Sequence, residues 1–138
     1  MKMSSYLLAF GLFILLGFTS CKKDDSTTPS TSGMIQGTWK VTSYIDSGNN
    51  ETNHYTGYSF EFKSGGVVTA TKSGSTVSGT WSTGSDDSQS KLYLTFSAAP
   101  FNELNDDWHI VQQTTTTLQL EDVSGGNGGT DYLTFSKN

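Results

Sequence analysis

From residue 39 onward apolar and polar positions alternate with a period of two, and no window keeps apolar residues at helical spacing for three turns. Trp39, Val41, Ser43 and Ile45 fall on one face, against Lys40, Thr42 and Tyr44 on the other. Tyr58, Phe60 and Phe62 alternate with Ser59, Glu61 and Lys63 as a half-buried strand. Strands are further predicted over 67–72, over 77–82 with Val77, Gly79 and Trp81 on one face, and over 91–97 with Leu92, Leu94 and Phe96 inward. In 108–114, Trp108 and Ile110 face one way and His109 and Val111 the other. Leu118 and Leu120 mark a seventh strand, and 131–137 the eighth.

The connections suit a meander. Residues 64–66 and 73–75 are tight Ser/Gly hairpin signals, 114–117 reads as a short turn among threonines, and 124–129 is a longer glycine turn. An all-β fold follows: an eight-stranded antiparallel up-and-down barrel, closed so that no strand edge is left open. A β-sandwich also fits the strand spacing and stands as the alternative.

Upstream of the strands the pattern changes twice. Lys2 precedes an apolar run over 6–18, and 13 residues are too few to cross a bilayer of roughly 30 Å as a helix. The run suits a secretory signal instead, removed with residues 1–20. Thr19 and Ser20 before the lone Cys21 resemble a bacterial lipobox, although Phe18 stands where that motif usually has leucine. The resemblance implies that Cys21 is lipidated and becomes the mature N-terminus. Lys22 and Lys23, then Asp24 and Asp25, are unlike an inner-membrane retention signal. The order is similar to the surface-export signal of some Gram-negative lipoproteins. An outer-membrane lipoprotein is therefore expected, exposed at the cell surface or facing the periplasm.

Residues 21–33 end in a Ser/Thr/Pro/Gly run with nothing apolar to bury, a flexible tether reaching about 20 Å on average. One domain, 34–138, follows. Its aromatic residues, 12% of the 138-residue chain, are enough to cover one core, and the absence of any second cysteine excludes a disulfide framework. The formal charge is −5, and loss of 1–20 takes Lys2 with it. Arginine is missing altogether, which removes the forks that grip phosphate and guanine edges, so no nucleic-acid partner is expected.

Gly37-Thr38-Trp39, at the head of strand one of eight, resembles the Gly-x-Trp signature of lipocalins. The whole layout of lipobox, tether, Gly-x-Trp and eight short strands is similar to the small lipocalin-like lipoproteins of bacteria. The resemblance implies that Trp39 plugs the closed end of the barrel as a structural residue. It also implies an arginine from near the last strand stacked on that indole, and this chain has none. Thr130-Asp131-Tyr132 spells the family's second signature too late in the chain for its usual place. A second Gly-Thr-Trp at 79–81 is read as a crowded strand position beside a core indole.

With Trp39 at the closed end, the loops 46–55, 98–107 and 124–130 lie at the mouth, and among the closed-end turns only 83–90 is predicted to be long. The mouth carries Tyr55, Tyr58, Phe101 and Leu104 as candidate ligand-binding residues, an apolar rim of the kind barrel-mouth sites use. His54 and His109 match no metal-ligand spacing, and the loop acids Glu103, Asp106 and Asp107, with Asp46 and Glu51, read as a solvated rim. No serine elbow, Cys–His arrangement or phosphate-cradling loop is present, so neither enzyme activity, cofactor nor metal is expected. The expected function is a monomeric, membrane-anchored barrel binding a small apolar or amphipathic ligand at its mouth. The alternative is a barrel filled by its own side chains that acts through its surface as an interaction or inhibitor module.

Overall fold

The computed structural model describes residues 35, 37–123 and 129–138. The signal 1–20, Cys21 with its tether 21–33, and residues 124–128 of the glycine turn lie outside the described residues. Among the described residues the alternating segments form nine antiparallel strands: β1 (Gly37–Asp46), β2 (Asn49–Asn50), β3 (Ser59–Lys63), β4 (Val67–Lys72), β5 (Ser75–Asp86), β6 (Gln89–Phe96), β7 (Asp106–Gln113), β8 (Thr117–Val123) and β9 (Thr130–Lys137). From β3 onward each strand pairs with the next in sequence, and β1 pairs with both β3 and β9. The sheet therefore closes as an eight-stranded barrel, with β2 as an extra two-residue strand folded back on the end of β1.

Closure divides β1 between two partners. Gly37 to Trp39 pair with Phe62 to Phe60, while Trp39 to Ile45 pair with Lys137 to Tyr132. The register against β9 shifts between Val41 and Ser43, so Thr42 is an extra residue and the inward alternation slips by one place. Tyr44 is therefore buried and Ser43 and Ile45 are only half-buried, the reverse of the predicted faces.

Predicted loop 83–90 is also strand. β5 and β6 continue to a two-residue turn at Asp87 and Ser88, whose φ angles of 46° and 67° are those of a tight hairpin. No glycine marks this turn, and the hairpin runs past its neighbour β7 so that its residues stay polar; both features hide it from pattern reading. The threonine connection is the short turn expected, held by Thr114 Oγ1, which accepts from the amides of Thr116 and Thr117 at 3.2 and 2.9 Å.

The interior is packed with rings set edge to face. Phe135 lies between Phe60 and Phe62 at 5.4 and 5.6 Å, and Phe62 meets Trp81 at 5.6 Å. Each such pair contributes about 0.5–1.5 kcal/mol beyond area burial. An eight-stranded barrel is narrow enough for side chains to reach across, and here twenty buried apolar residues among those described form one continuous core.

At the closed end the Trp39 indole is buried and its Nε1 donates to the Ile35 carbonyl at 2.8 Å, folding the incoming chain across the opening. The cation that the sequence lacks as arginine is supplied by Lys137 of β9, whose Nζ sits 4.0 Å from the ring centroid. Burial lowers the Lys137 pKa, and the ring face offsets part of that cost. A Cβ on Gly37, where φ is 109°, would lie 2.9 Å from Lys137 Nζ, so the glycine keeps space for the ammonium. Gly79 of the second Gly-Thr-Trp serves a like purpose, since a Cβ there would meet Thr95 and the Phe96 ring.

Replacing Trp39 with alanine removes a fully buried ring and is expected to destabilise the fold by about 3–5 kcal/mol. Urea unfolding measures this, and an unchanged midpoint would deny the indole its role at the closed end.

Candidate functional site

At the opposite end two of the long loops each bring one turn of 3₁₀-helix. The first cap, Thr52–Tyr55, follows β2; the second, Phe101–Leu104, lies between β6 and β7. Above Trp39, β1 and β3 no longer pair, and the first cap covers the exposed edge of β1. Thr52 Oγ1 accepts from the Tyr44 amide at 2.8 Å, and the Glu51 amide donates to the Tyr44 carbonyl at 3.0 Å. A side chain and a loop amide thus stand in for the missing strand partner.

The second cap is held at its C-terminal side by two side chains. Asn105 Nδ2 donates to the Phe96 carbonyl at 2.8 Å while its Oδ1 accepts from the Phe96 amide, closing the loop as a strand pair would. Trp108 Nε1 donates to the Leu104 carbonyl at 3.0 Å, which repeats at the mouth the link from Trp39 to Ile35 at the closed end. Phe101 points down between the caps and meets four rings: Tyr58 at 4.9 Å, Phe96 at 5.5 Å, Tyr55 at 5.9 Å and Phe60 at 6.1 Å. Lys72 stabilises the outer ring of this group, its Nζ 5.1 Å above Tyr58 and 2.7 Å from the Thr56 carbonyl.

Of the candidate mouth residues, Tyr55, Phe101 and Leu104 are buried and Tyr58 is half-buried. Tyr55, Tyr58 and Phe101 come together, with Leu104 packed in the same core, so the expected apolar rim is folded inward as a stopper. Tyr44 belongs to the same group, 5.5 Å from Tyr55 and 6.4 Å from Trp108, and it was missed because the shift at Thr42 turns it inward. Thr42 itself gives no sequence signal of that shift.

Polar links across the stopper converge on the second cap. Tyr44 Oη donates to the Glu103 carbonyl at 2.8 Å, and Tyr55 Oη donates to the Pro100 carbonyl at 3.0 Å. Burial, then neighbouring carboxylates, push both phenols up, so both remain protonated donors. His54 lies with Nδ1 3.2 Å from Glu103 Oε2 and Nε2 3.3 Å from Glu51 Oε2. His109 is elsewhere, on the outer wall, so the two histidines do not meet.

Three carboxylates do gather: Asp106, Asp107 and Asp122 have oxygens within 4.8 Å of one another, close enough in principle for a cation. Two features weaken that use. Asp107 is already engaged by Lys91, which holds its pKa down, and burial raises Asp106 to about 6.

The family whose description is lipocalin-like domain matches residues 35–120. Among solved structures, the chain is similar to a DUF4847 family protein from Bacteroides vulgatus ATCC 8482, determined at 1.00 Å, with 19% identity and a TM-score of 0.48 over 76% of this chain and 94% of that one. No curated protein matches.

Because the folded-state pKa of Asp106 lies above its ordinary value of 3.8, the native state binds more protons than the unfolded chain between about pH 4 and 6. The Asp106 contribution to stability therefore falls as pH rises through that window and levels off above it. Asp106→Asn is expected to remove this component, seen as a smaller loss of melting temperature from pH 4 to pH 6 than in the parent. Identical slopes would mean that Asp106 titrates normally.

Proposed function

The chain belongs to the lipocalin-like domain family, and from that premise we propose that it is a membrane-anchored binding protein that takes a small apolar or amphipathic molecule at the barrel mouth, beneath the second cap. Binding is the usual business of this fold, whose members are typically not enzymes. The observation that carries the proposal is Phe101. Its ring is fully buried among four others, yet it is carried by a loop and not by a barrel strand. Moving the cap outward would open an apolar site floored by Phe60 and Phe96 and walled by Tyr55 and Tyr58, without breaking any strand ladder.

Such a site is closed at rest, so affinity is reduced by the fraction of molecules that are open. Withdrawing a phenylalanine from a core costs about 3–5 kcal/mol, and an occupant of similar apolar area would offset most of that. The second reading is favoured by the packing below the stopper. Phe62, Trp81, Leu92 and Leu94 all point inward and are buried, as are Phe60, Phe96 and Trp108, which leaves the deep barrel to its own side chains. On that reading the protein acts through its outer surface.

The two readings separate in a titration of the unlipidated chain with a fluorescent fatty acid or an anilinonaphthalene dye. Saturable 1:1 binding is expected, tightened in Phe101→Ala even as that variant loses about 3–5 kcal/mol of stability. Absence of binding by both proteins would leave the surface reading in possession.

The anchor is part of the proposal. Acyl chains on Cys21 would contribute about 0.8 kcal/mol per buried methylene, enough with two or three chains for stable attachment. The tether would let the domain stand clear of the outer membrane, at the cell surface or on the periplasmic side. Cys21→Ser is expected to move the protein from the membrane fraction to the soluble fraction, and continued attachment would refute the lipid anchor.

A further inference from the structure

One polar link between the two caps differs in kind from the others. The tyrosine links, from Tyr44 Oη to the Glu103 carbonyl and from Tyr55 Oη to the Pro100 carbonyl, use phenols that burial keeps protonated, so neutral and mildly acidic solutions leave them alike. His54 makes a third link. Its backbone amide donates to the Glu51 carbonyl at 3.1 Å, which seats it in the first cap, and its ring spans from Glu51 to Glu103 of the second.

Both ring nitrogens face a carboxylate oxygen, Nε2 that of Glu51 at 3.3 Å and Nδ1 that of Glu103 at 3.2 Å. A neutral imidazole carries one N–H, so it satisfies one of these contacts and turns a lone pair toward the other carboxylate. A protonated ring donates to both. The bridge is complete only in the charged form, and histidine is the side chain that ordinarily changes charge between about pH 5 and 8.

We propose that His54 is a proton-operated clasp between the two caps, holding the mouth shut when charged and loosening it when neutral. Control of uptake depends on the mouth being a binding site, as proposed above, whereas the clasp depends only on the contacts of His54. The closed state holds the proton more tightly than the open one, so closure weakens as pH rises. Near neutrality more of the molecules are then open to a ligand. The side chains of His54, Glu51 and Glu103 are 36%, 34% and 40% exposed, so solvent screens each contact and the open fraction is expected to change about two- to fourfold.

Other ionisable groups surround the clasp. Tyr55 Oη lies 3.3 Å from Glu103 Oε2, and its ring stands edge-on to the imidazole at 6.2 Å. Asp46 acts on both Tyr44 and Tyr55, Asp106 and Asp131 act on Tyr44, and Lys72 holds the Thr56 carbonyl where the first cap ends. Asp106, raised to about 6, titrates in the same range as histidine. Asp106→Asn removes that charge and leaves an oxygen to accept from the Asp107 amide.

The test uses the chain carrying Cys21→Ser, so that no lipid is attached, together with Asp106→Asn. Hydrogen exchange of the Glu103 and Asn105 amides and of the Trp108 indole N–H, each relative to an unstructured peptide at the same pH, reads opening of the second cap without any ligand. Protection is expected to fall about two- to fourfold from roughly pH 5.5 to 7.5, and the fall should vanish in His54→Gln and in Glu103→Gln. A flat profile in the parent, or a slope that survives His54→Gln, overturns the clasp. Nile red, an uncharged probe, should bind more tightly at the higher pH by the same factor, with no such difference in His54→Gln. An exchange slope without dye binding leaves the clasp standing and counts against the mouth as a binding site, whereas dye affinity indifferent to pH overturns control of uptake by His54.

Discussion

Pairing of the first strand with the last is the constraint from which the other features follow. A sheet closed on itself has no free lateral edge, but it acquires an interior of fixed width and two open ends. β1 makes the closure by dividing its length, three residues with β3 and the remainder with β9. The division leaves the upper edge of β1 with only the two-residue β2 and the first cap against it, and the shift at Thr42 rotates Tyr44 into the space beneath the mouth. One compromise in pairing thereby shapes the end of the barrel where loops can reach.

Both ends are stopped by the same device. An indole at the start of a strand donates to the carbonyl four residues earlier, Trp39 to Ile35 below and Trp108 to Leu104 above, and each draws an aliphatic residue over the opening. The chemical surroundings then differ. Below, Lys137 lies against the indole and Gly37 makes room for it, so the end is knit into two strands. Above, the stopper is Phe101 on a loop, held by tyrosine hydroxyls, an asparagine side chain and a histidine between two glutamates. Loop-borne contacts of this kind open at lower cost than strand ladders, which places adaptability at the mouth.

Charge is arranged around these ends and not within the core. Lys91 and Asp107 satisfy each other on the wall, while Asp106 next to them is partly desolvated, which raises its pKa. Elsewhere on the wall the register of β7 against β8 shifts between Ile110 and Gln112, and Val111 is left exposed.

Much of this architecture was legible in the order of residues. Alternation over Tyr58 to Phe62, Leu92 to Phe96 and Leu118 to Leu120 reflects side chains that must choose between a core and water, a local property of each strand. Glycines at Gly65, Gly66 and Gly74 have positive φ, so their turns could be read directly. The lipocalin likeness was legible in Gly37-Thr38-Trp39, as was the lack of arginine, but nothing in the order of residues marks Lys137 as the cation that replaces it. What the tertiary structure alone decided are matters of register and reach. Thr42 and Val111 become extra residues only because closure forces neighbouring strands to bend by different amounts. Lys137 meets Trp39 only because the last strand lies against the first. Tyr55, far in the chain from Phe101 and Leu104, joins them as a stopper because an open mouth would leave the upper core wet.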